Sequence, residues 1–364
     1  MSNCQIQSLS TGPITDSHYQ YLRPARIACN QFSRKENALI MFFPLLFVVF
    51  FQITPLVLCS EGDRSPYYQN CVKNCLTANC TKAGITFLPK AVKLQDKWSR
   101  MMMWNCYDEC SYHCMWKTVE GFHERGFDTP KFHGKWPFKR IMGIQEPASV
   151  FASMLNLLST LFMHTLIIKQ FPISDTPLVL FWHVFVAICM NAWTWSIVFH
   201  IRDNAYTEFM DYACALSMVM ALFVAAVVRI FHKRRKFVLS VLIVSIWYYM
   251  EHAQYLYSGQ VDYDYNMKVN VMFGVLGSVL WLAWAAAQWA AGRRYVWRLA
   301  AFTALSGASL ALELLDFPPR YGHWDAHALW HLSTAPLPFI FYRFVIDDLT
   351  YLYAPTETED AKTK

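Results

Sequence analysis

Charge is scarce in this chain. Of its 364 residues, 16% are Asp, Glu, Lys or Arg, against 55% hydrophobic. Soluble domains carry about 25% charged residues. A globule of this size would lack the polar surface to stay in water, which argues against an ordinary soluble enzyme and also against disorder. Three chemical signatures are missing as well. There is no HExxH, no GxSxG and no P-loop, so metalloprotease, serine-hydrolase and nucleotide-driven readings have no support. What remains is a chain solvated largely by lipid. The net charge of +6 leaves nucleic acid open until its distribution is known, and eleven cysteines suffice for a disulfide framework in an oxidising compartment.

Residues 1–37 are polar and mildly basic, with Arg23, Arg26, Arg34 and Lys35. Residues 38–60 form an apolar run closing in Val57-Leu58-Cys59-Ser60-Glu61, read as a signal peptide or signal anchor. Met41 offers an alternative start. Residues 61–144 are polar and turn-rich and hold two cysteine triplets, Cys71, Cys75, Cys80 and Cys106, Cys110, Cys114. Beyond a signal segment these predict three disulfides in a small lumenal domain, with the pairing open. Asn79-Cys80-Thr81 is a glycosylation sequon.

From residue 145 the chain becomes a series of apolar segments, each near the roughly 20 residues that cross hydrocarbon. Seven are read, over 147–168, 177–200, 208–231, 237–257, 269–291, 297–315 and 325–346. The fold class expected is therefore an all-α membrane protein, a seven-helix bundle over 145–347 with a disulfide-rich lumenal domain before it and a tail, 348–364, after it. The third connection carries Arg229, Lys233, Arg234, Arg235 and Lys236, and the fifth carries Arg293, Arg294 and Arg298. The connections between them are acidic or neutral, with Asp203, Glu208, Asp262 and Asp264. Basic loops stay cytosolic, which puts the C-terminus in the cytosol and the start of the first span in the lumen with the cysteines. Clustered in this way, the positive charge records orientation, and the nucleic-acid reading falls away.

Ionisable residues inside a membrane are functional candidates by default. Ser196 and His200 stand one turn apart near the end of the second span, Asp211 near the start of the third, and His327 and His331 at the start of the seventh. A His-x3-His pair alone arises easily by chance. The expected topology, however, places all five residues in the same lumenal half of the bundle. Three neutral imidazoles with an open fourth position form a catalytic zinc ligand set. A carboxylate such as Asp211 could then hold or deprotonate a bound water, and Ser196 could support an oxyanion. Glu313, at the lumenal end of the sixth span, would either fix a histidine tautomer or reach interfacial water. His164, His183 and His252 read as structural, and His323 as a loop residue.

Ser-x3-His, an Asp eleven residues on and a distant His-x3-His resemble the CREST superfamily of membrane hydrolases, which includes alkaline ceramidases and adiponectin and progestin receptor-like proteins. More narrowly the chain resembles the post-GPI-attachment-to-proteins factor 3 family, GPI-specific phospholipase A2-like proteins. The resemblance runs from about Gly62 to Tyr353. It is carried by Cys106-Tyr-Asp-Glu-Cys110-Ser-Tyr-His-Cys114, Phe132-His-Gly-Lys-Trp-Pro-Phe138, Gln145-Glu-Pro-Ala-Ser149, Asn191-Ala-Trp-Thr-Trp-Ser196-Ile-Val-Phe-His200, Glu313-Leu-Leu-Asp-Phe-Pro-Pro319 and Asp325-Ala-His327-Ala-Leu-Trp-His331. It implies Zn2+ on His200, His327 and His331, with Ser196 and Asp211 completing the site. It implies removal of the sn-2 unsaturated acyl chain from the lipid of GPI-anchored proteins, in the Golgi or, as in fungi, the endoplasmic reticulum. Residues 1–40 precede the family's usual signal start. The competing expectations are a ceramidase-like amidase and a non-catalytic seven-helix receptor or chaperone. Against a receptor, the third span ends in Val-Val-Arg229-Ile-Phe rather than Asp/Glu-Arg-Tyr, and the seventh has Ala335-Pro-Leu-Pro-Phe339 rather than Asn-Pro-x-x-Tyr.

Overall fold

The computed structural model describes residues 60–353 apart from 82–83, 174–175 and 259–262. The N-terminal extension, the signal segment before Ser60 and the tail beyond Tyr353 lie outside the described residues.

The cysteine-rich part is built on two helices. α1 is a single turn, Glu61–Arg64, and α2 follows over Pro66–Asn79 with proline at its first position, where no N–H is needed. α3 spans Lys97–Met101, capped by Asp96, whose carboxylate accepts from the Trp98 and Ser99 amides. α4 spans Cys106–Glu124 and opens on a reciprocal capping box between Asn105 and Asp108. α2 packs against α4, and disulfides lace them in nested order as Cys71–Cys114, Cys75–Cys110 and Cys80–Cys106. Cys71 and Cys75 share one face of α2, with Cys80 just past its end, and Cys106, Cys110 and Cys114 share one face of α4. Two such faces meeting head to tail pair first with last, which resolves the connectivity that spacing alone left open. Asn79 is the final residue of α2, beside the bridged Cys80.

The bundle is all helix. α5 runs over Pro147–Gln170, α6 over Pro177–Ile201, α7 over Ala205–Phe231, α8 over Arg235–Tyr257, α9 over Tyr263–Ala290 and α10 over Trp297–Glu313. The expected seventh span is two helices, α11 over Ala326–Thr334 and α12 over Leu337–Tyr353. Pro336 stands between them, and its missing N–H and its ring interrupt the ladder. α12 also continues to Tyr353, into the stretch read as tail. Among the described residues, five helices are long and apolar enough to cross a membrane by length and composition: α5, α6, α7, α9 and α10 with the turn before it. α8 and the broken α11–α12 segment fall outside that group.

α5, α6, α7, α9 and α10 follow one another in a ring, which α11 and α12 close by packing on both α10 and α5. α8 packs on α7 at the outside. Its exposed Leu239, Ile243, Val244, Trp247 and Met250 suit a lipid-facing surface. At the end away from the cysteines the ring is filled by buried aromatics and aliphatics, among them Trp182, Trp281, Leu299, Phe341 and Phe344. A buried bidentate pair, Arg229 with Asp348 at 2.5 and 2.8 Å, joins α7 to α12 there, and the Tyr295 hydroxyl donates to the same carboxylate at 2.8 Å.

At the cysteine end, the connector 131–146 reaches three parts of the bundle. Its Gln145 and Glu146 amides donate to the carbonyls of Ile201 and His200 at the end of α6, each at 3.0 Å. Lys135 pairs with Asp203 and with Glu208 at the start of α7. Lys131 and Trp136 both bond Asp316, and the Lys139 amide donates to Gly322, so the loop before α11 is held as well.

Candidate metal centre

The end of α6, the start of α7 and α11 all lie at this braced end of the bundle, and with them lie the residues singled out from sequence. His200 and His331 are buried, and His327 is half-buried. The Nε2 atoms of the three rings converge, with His200 to His331 at 3.3 Å and His327 to His331 at 2.9 Å. Asp325 starts α11 by accepting from the Ala328 amide, which sets the turn that carries His327 and His331 on one face.

What fixes the rings is a pair of carboxylates. The His200 Nδ1–H donates to Glu146 at 2.8 Å, and the His327 Nδ1–H donates to Glu313 at 2.7 Å. With Nδ1 carrying the proton, each Nε2 presents a lone pair to the centre. Glu313 also accepts from the Tyr263 hydroxyl at 2.8 Å. Glu313 thus stands where a tautomer-fixing partner of His327 would stand. Glu146 was not singled out from sequence as a functional residue. The available signal was an acidic residue directly before Pro147, the first residue of a membrane helix.

The donor set fits a divalent cation. Three imidazole nitrogens facing one another without a cation would repel, and two nitrogens bound to one tetrahedral zinc at about 2.0–2.1 Å stand roughly 3.3 Å apart, close to the separations here. The His331 Nδ1 is buried with no hydrogen-bond partner among the described residues, so its ring is set instead by packing against Trp193 and Trp330. Its backbone carbonyl accepts from Asn156 at 2.7 Å, bracing α11 against α5.

Ser196 lies one turn before His200. Its hydroxyl exchanges a 3.1 Å hydrogen bond with Ser153 of α5 and makes none to a histidine. Asp211 lies within the electrostatic reach of His200 and His327 and has no hydrogen bond to a described residue. On α5, Ser149, Ser153 and Asn156 are wholly buried on the side facing this site. Sequence reading passed over them because Ser and Asn in an apolar run look like ordinary helix-packing residues. His164 and His183, taken singly as structural, pair with each other at 2.9 Å. His252 bonds Asn266 at 3.0 Å.

Outside the helices, burial alone would push the Lys135 ammonium down, but Asp203 and Glu208 beside it hold it well above the ordinary lysine range. Its Nζ also sits 4.9 Å over the Phe199 ring, next to His200.

Fold and site together define a multi-pass helical membrane protein with a three-histidine centre, two of whose outer nitrogens are held by carboxylates. The family is specific: the Per1-like family matches residues 97–349, and the chain belongs to it. Post-GPI attachment to proteins factor 3 of Drosophila melanogaster is 40% identical over 295 residues, covering 79% of this chain and 89% of that one. GPI-specific phospholipase A2-like PGAP3 of Danio rerio is 40% identical over 296 residues, covering 80% and 92%. The Homo sapiens protein of that name is 38% identical over 305 residues, covering 82% and 92%. No solved structure matches the chain.

Proposed function

We propose that the protein remodels GPI anchors by zinc-dependent hydrolysis of the sn-2 acyl ester of their lipid, at the lumenal leaflet of the Golgi membrane. The observation that carries this reading is the convergence of the His200, His327 and His331 Nε2 atoms, with Glu146 and Glu313 fixing two of the rings. The substrate class comes from the names of its relatives. The arrangement of seven spans, with the cysteine-rich part lumenal and the C-terminus cytosolic, rests on the basic connections after α7 and α9. An sn-2 ester lies near the headgroup boundary, and the histidines lie within a turn or two of the helix ends.

His200, His327 and His331 would hold the metal. Bound there, zinc supplies Lewis acidity and brings the pKa of a water toward neutrality. Asp211 takes a proton from the attacking water on a carboxylate oxygen as the water oxygen bonds to the ester carbon. The Ser196 hydroxyl, oriented by Ser153, donates to the carbonyl oxygen as it gains charge. The bond from the acyl carbon to the glycerol oxygen then breaks, and Asp211 returns the proton to that oxygen. Free fatty acid and the lyso lipid leave.

The test is purified His331→Ala assayed for release of fatty acid from GPI lipid at matched protein level. Activity should vanish together with bound zinc. Undiminished ester cleavage would sink the metal-hydrolase reading, and cleavage of an acyl amide but not the ester by the native protein would replace it with an amidase.

A further inference from the structure

Two neighbouring turns of the cysteine-rich part carry methionine where the backbone asks for something else. The first is Met101-Met102-Met103, where Met103 has φ +57° and is 73% exposed. The second is the turn Ile141-Met142-Gly143-Ile144, closed by reciprocal backbone bonds between Ile141 and Ile144. Met142 and Gly143 both have positive φ, +53° and +76°, as a type I′ turn requires. Gly143 has a packing reason, since a Cβ there would meet the Trp98 carbonyl oxygen at 2.8 Å. Met142 has none, because its side chain is 53% exposed. A left-handed position favours Asn or Gly, and a long apolar side chain there costs stability. Holding two such side chains outward, on adjacent turns, needs a compensating environment.

The turns form one surface. The Trp104 indole N–H donates to the Gly143 carbonyl at 2.8 Å, and the Arg140 guanidinium stacks 3.5 Å over the Trp104 ring. Met101 and Ile141 are exposed beside the two tips. The surface is also continuous with the belt of the bundle. Arg202, directly after α6, donates to the Met102 carbonyl at 3.3 Å. Residues 145 and 146, just past the second turn, are bonded to the last turn of α6, and α5 begins at Pro147. Both turns are therefore tied to the end of α6 and the start of α5. Exposed Lys93, Lys97 and Arg100 belong to the same segment, while Asp96 is engaged in capping α3. Cations flanking apolar tips suit a surface of anionic phosphates over acyl chains.

We propose that Met101, Met103, Ile141 and Met142 form a membrane-inserting edge that docks the cysteine-rich part onto the leaflet beside the three-histidine centre. The occupant is the lipid bilayer itself. The proposal does not depend on any catalytic activity.

The test uses the full-length protein in nanodiscs of phosphatidylcholine with phosphatidylserine. A diazirine analogue of methionine, nearly isosteric, is placed singly at Met103 and Met142, and for comparison at lipid-facing Phe162 of α5 and at exposed Glu120 of α4. Lipid adducts at 103 and 142 should approach those at 162. They should exceed those at 120 by about tenfold, the bias that partial burial of one such side chain yields. Adducts at 103 and 142 no more abundant than at 120, or formed with protein in place of lipid, would overturn the proposal.

Discussion

Glu146 and His200 are joined twice. The imidazole Nδ1–H donates to the Glu146 carboxylate at 2.8 Å, and the Glu146 amide donates to the His200 carbonyl at 3.0 Å. One residue thereby sets both the tautomer of the ring and the position of the helix end that carries it. Glu313 sets the tautomer of His327 from α10 in the same way. Glu146→Gln can still accept from Nδ1 but loses the charge that raises the basicity of the ring. Zinc affinity is expected to fall by about 10- to 100-fold, measured by competition against a chromogenic chelator. Native affinity in this variant would mean that the carboxylate does nothing for the metal.

Ser196 and Asp211 should separate from the histidines experimentally. Neither is bonded to a ring, so Ser196→Ala and Asp211→Asn should keep zinc at one per chain. Turnover should nevertheless drop, by about 10²- to 10⁴-fold for a lost base or oxyanion donor, with the loss in kcat rather than KM. Ser153→Ala removes only the hydroxyl that orients Ser196, and a smaller loss of the same kind is expected. Zinc loss in Ser196→Ala or Asp211→Asn would reassign that residue to the metal shell.

Lys135 makes no bond to the histidines and acts through the elements around them. It ties the connector 131–146 to Asp203 after α6 and to Glu208 in the first turn of α7. Lys135→Met leaves two carboxylates facing each other without a cation between them. A lower melting temperature and a higher KM are expected, and Lys135→Arg should restore both. Because its folded pKa is raised, the contribution of the clamp is fully present below the unfolded lysine value of about 10.4 and is lost as pH rises through the folded value. The melting difference between Lys135→Met and the native protein should therefore be the same at about pH 7 and about pH 9. A difference that shrinks over this interval would show that the clamp is not an ion pair.

Much of this was legible in the sequence, and the exceptions share a cause. The helix centres follow from runs of apolar residues, and the three histidines and Asp211 stand out because charge is so rare among them. Glu146 stayed hidden because it precedes its helix by one residue, where an acid reads as an ordinary helix flank. The disulfide pairing needed the antiparallel approach of α2 and α4, a tertiary fact. Pro336 was visible, but its consequence was not. Whether a proline kinks a membrane helix or divides it depends on what the neighbouring helices supply to the freed carbonyls. The interruption falls just after the turn that carries His327 and His331, and both α11 and α12 pack on α10 and α5.

At the opposite end, Arg229 and Asp348 form the most deeply buried ion pair described here, with both guanidinium-to-carboxylate bonds made and Tyr295 filling a further acceptor site. The Arg229 guanidinium also lies 4.8 Å over the Trp284 ring. The pair links α7, which carries Asp211, to the segment that continues α11. Removing one partner leaves a charge stranded among apolar side chains, so Asp348→Asn should cost about 3–5 kcal/mol. An apolar pair of similar volume, Arg229→Met with Asp348→Leu, removes both charges together and should recover most of that loss. Thermal unfolding of the purified protein in detergent distinguishes the cases. If Asp348→Asn melts with the native protein, the pair contributes nothing measurable. If the double variant is as unstable as the single one, the hydrogen-bond geometry at the junction, rather than charge balance, holds α12 in place.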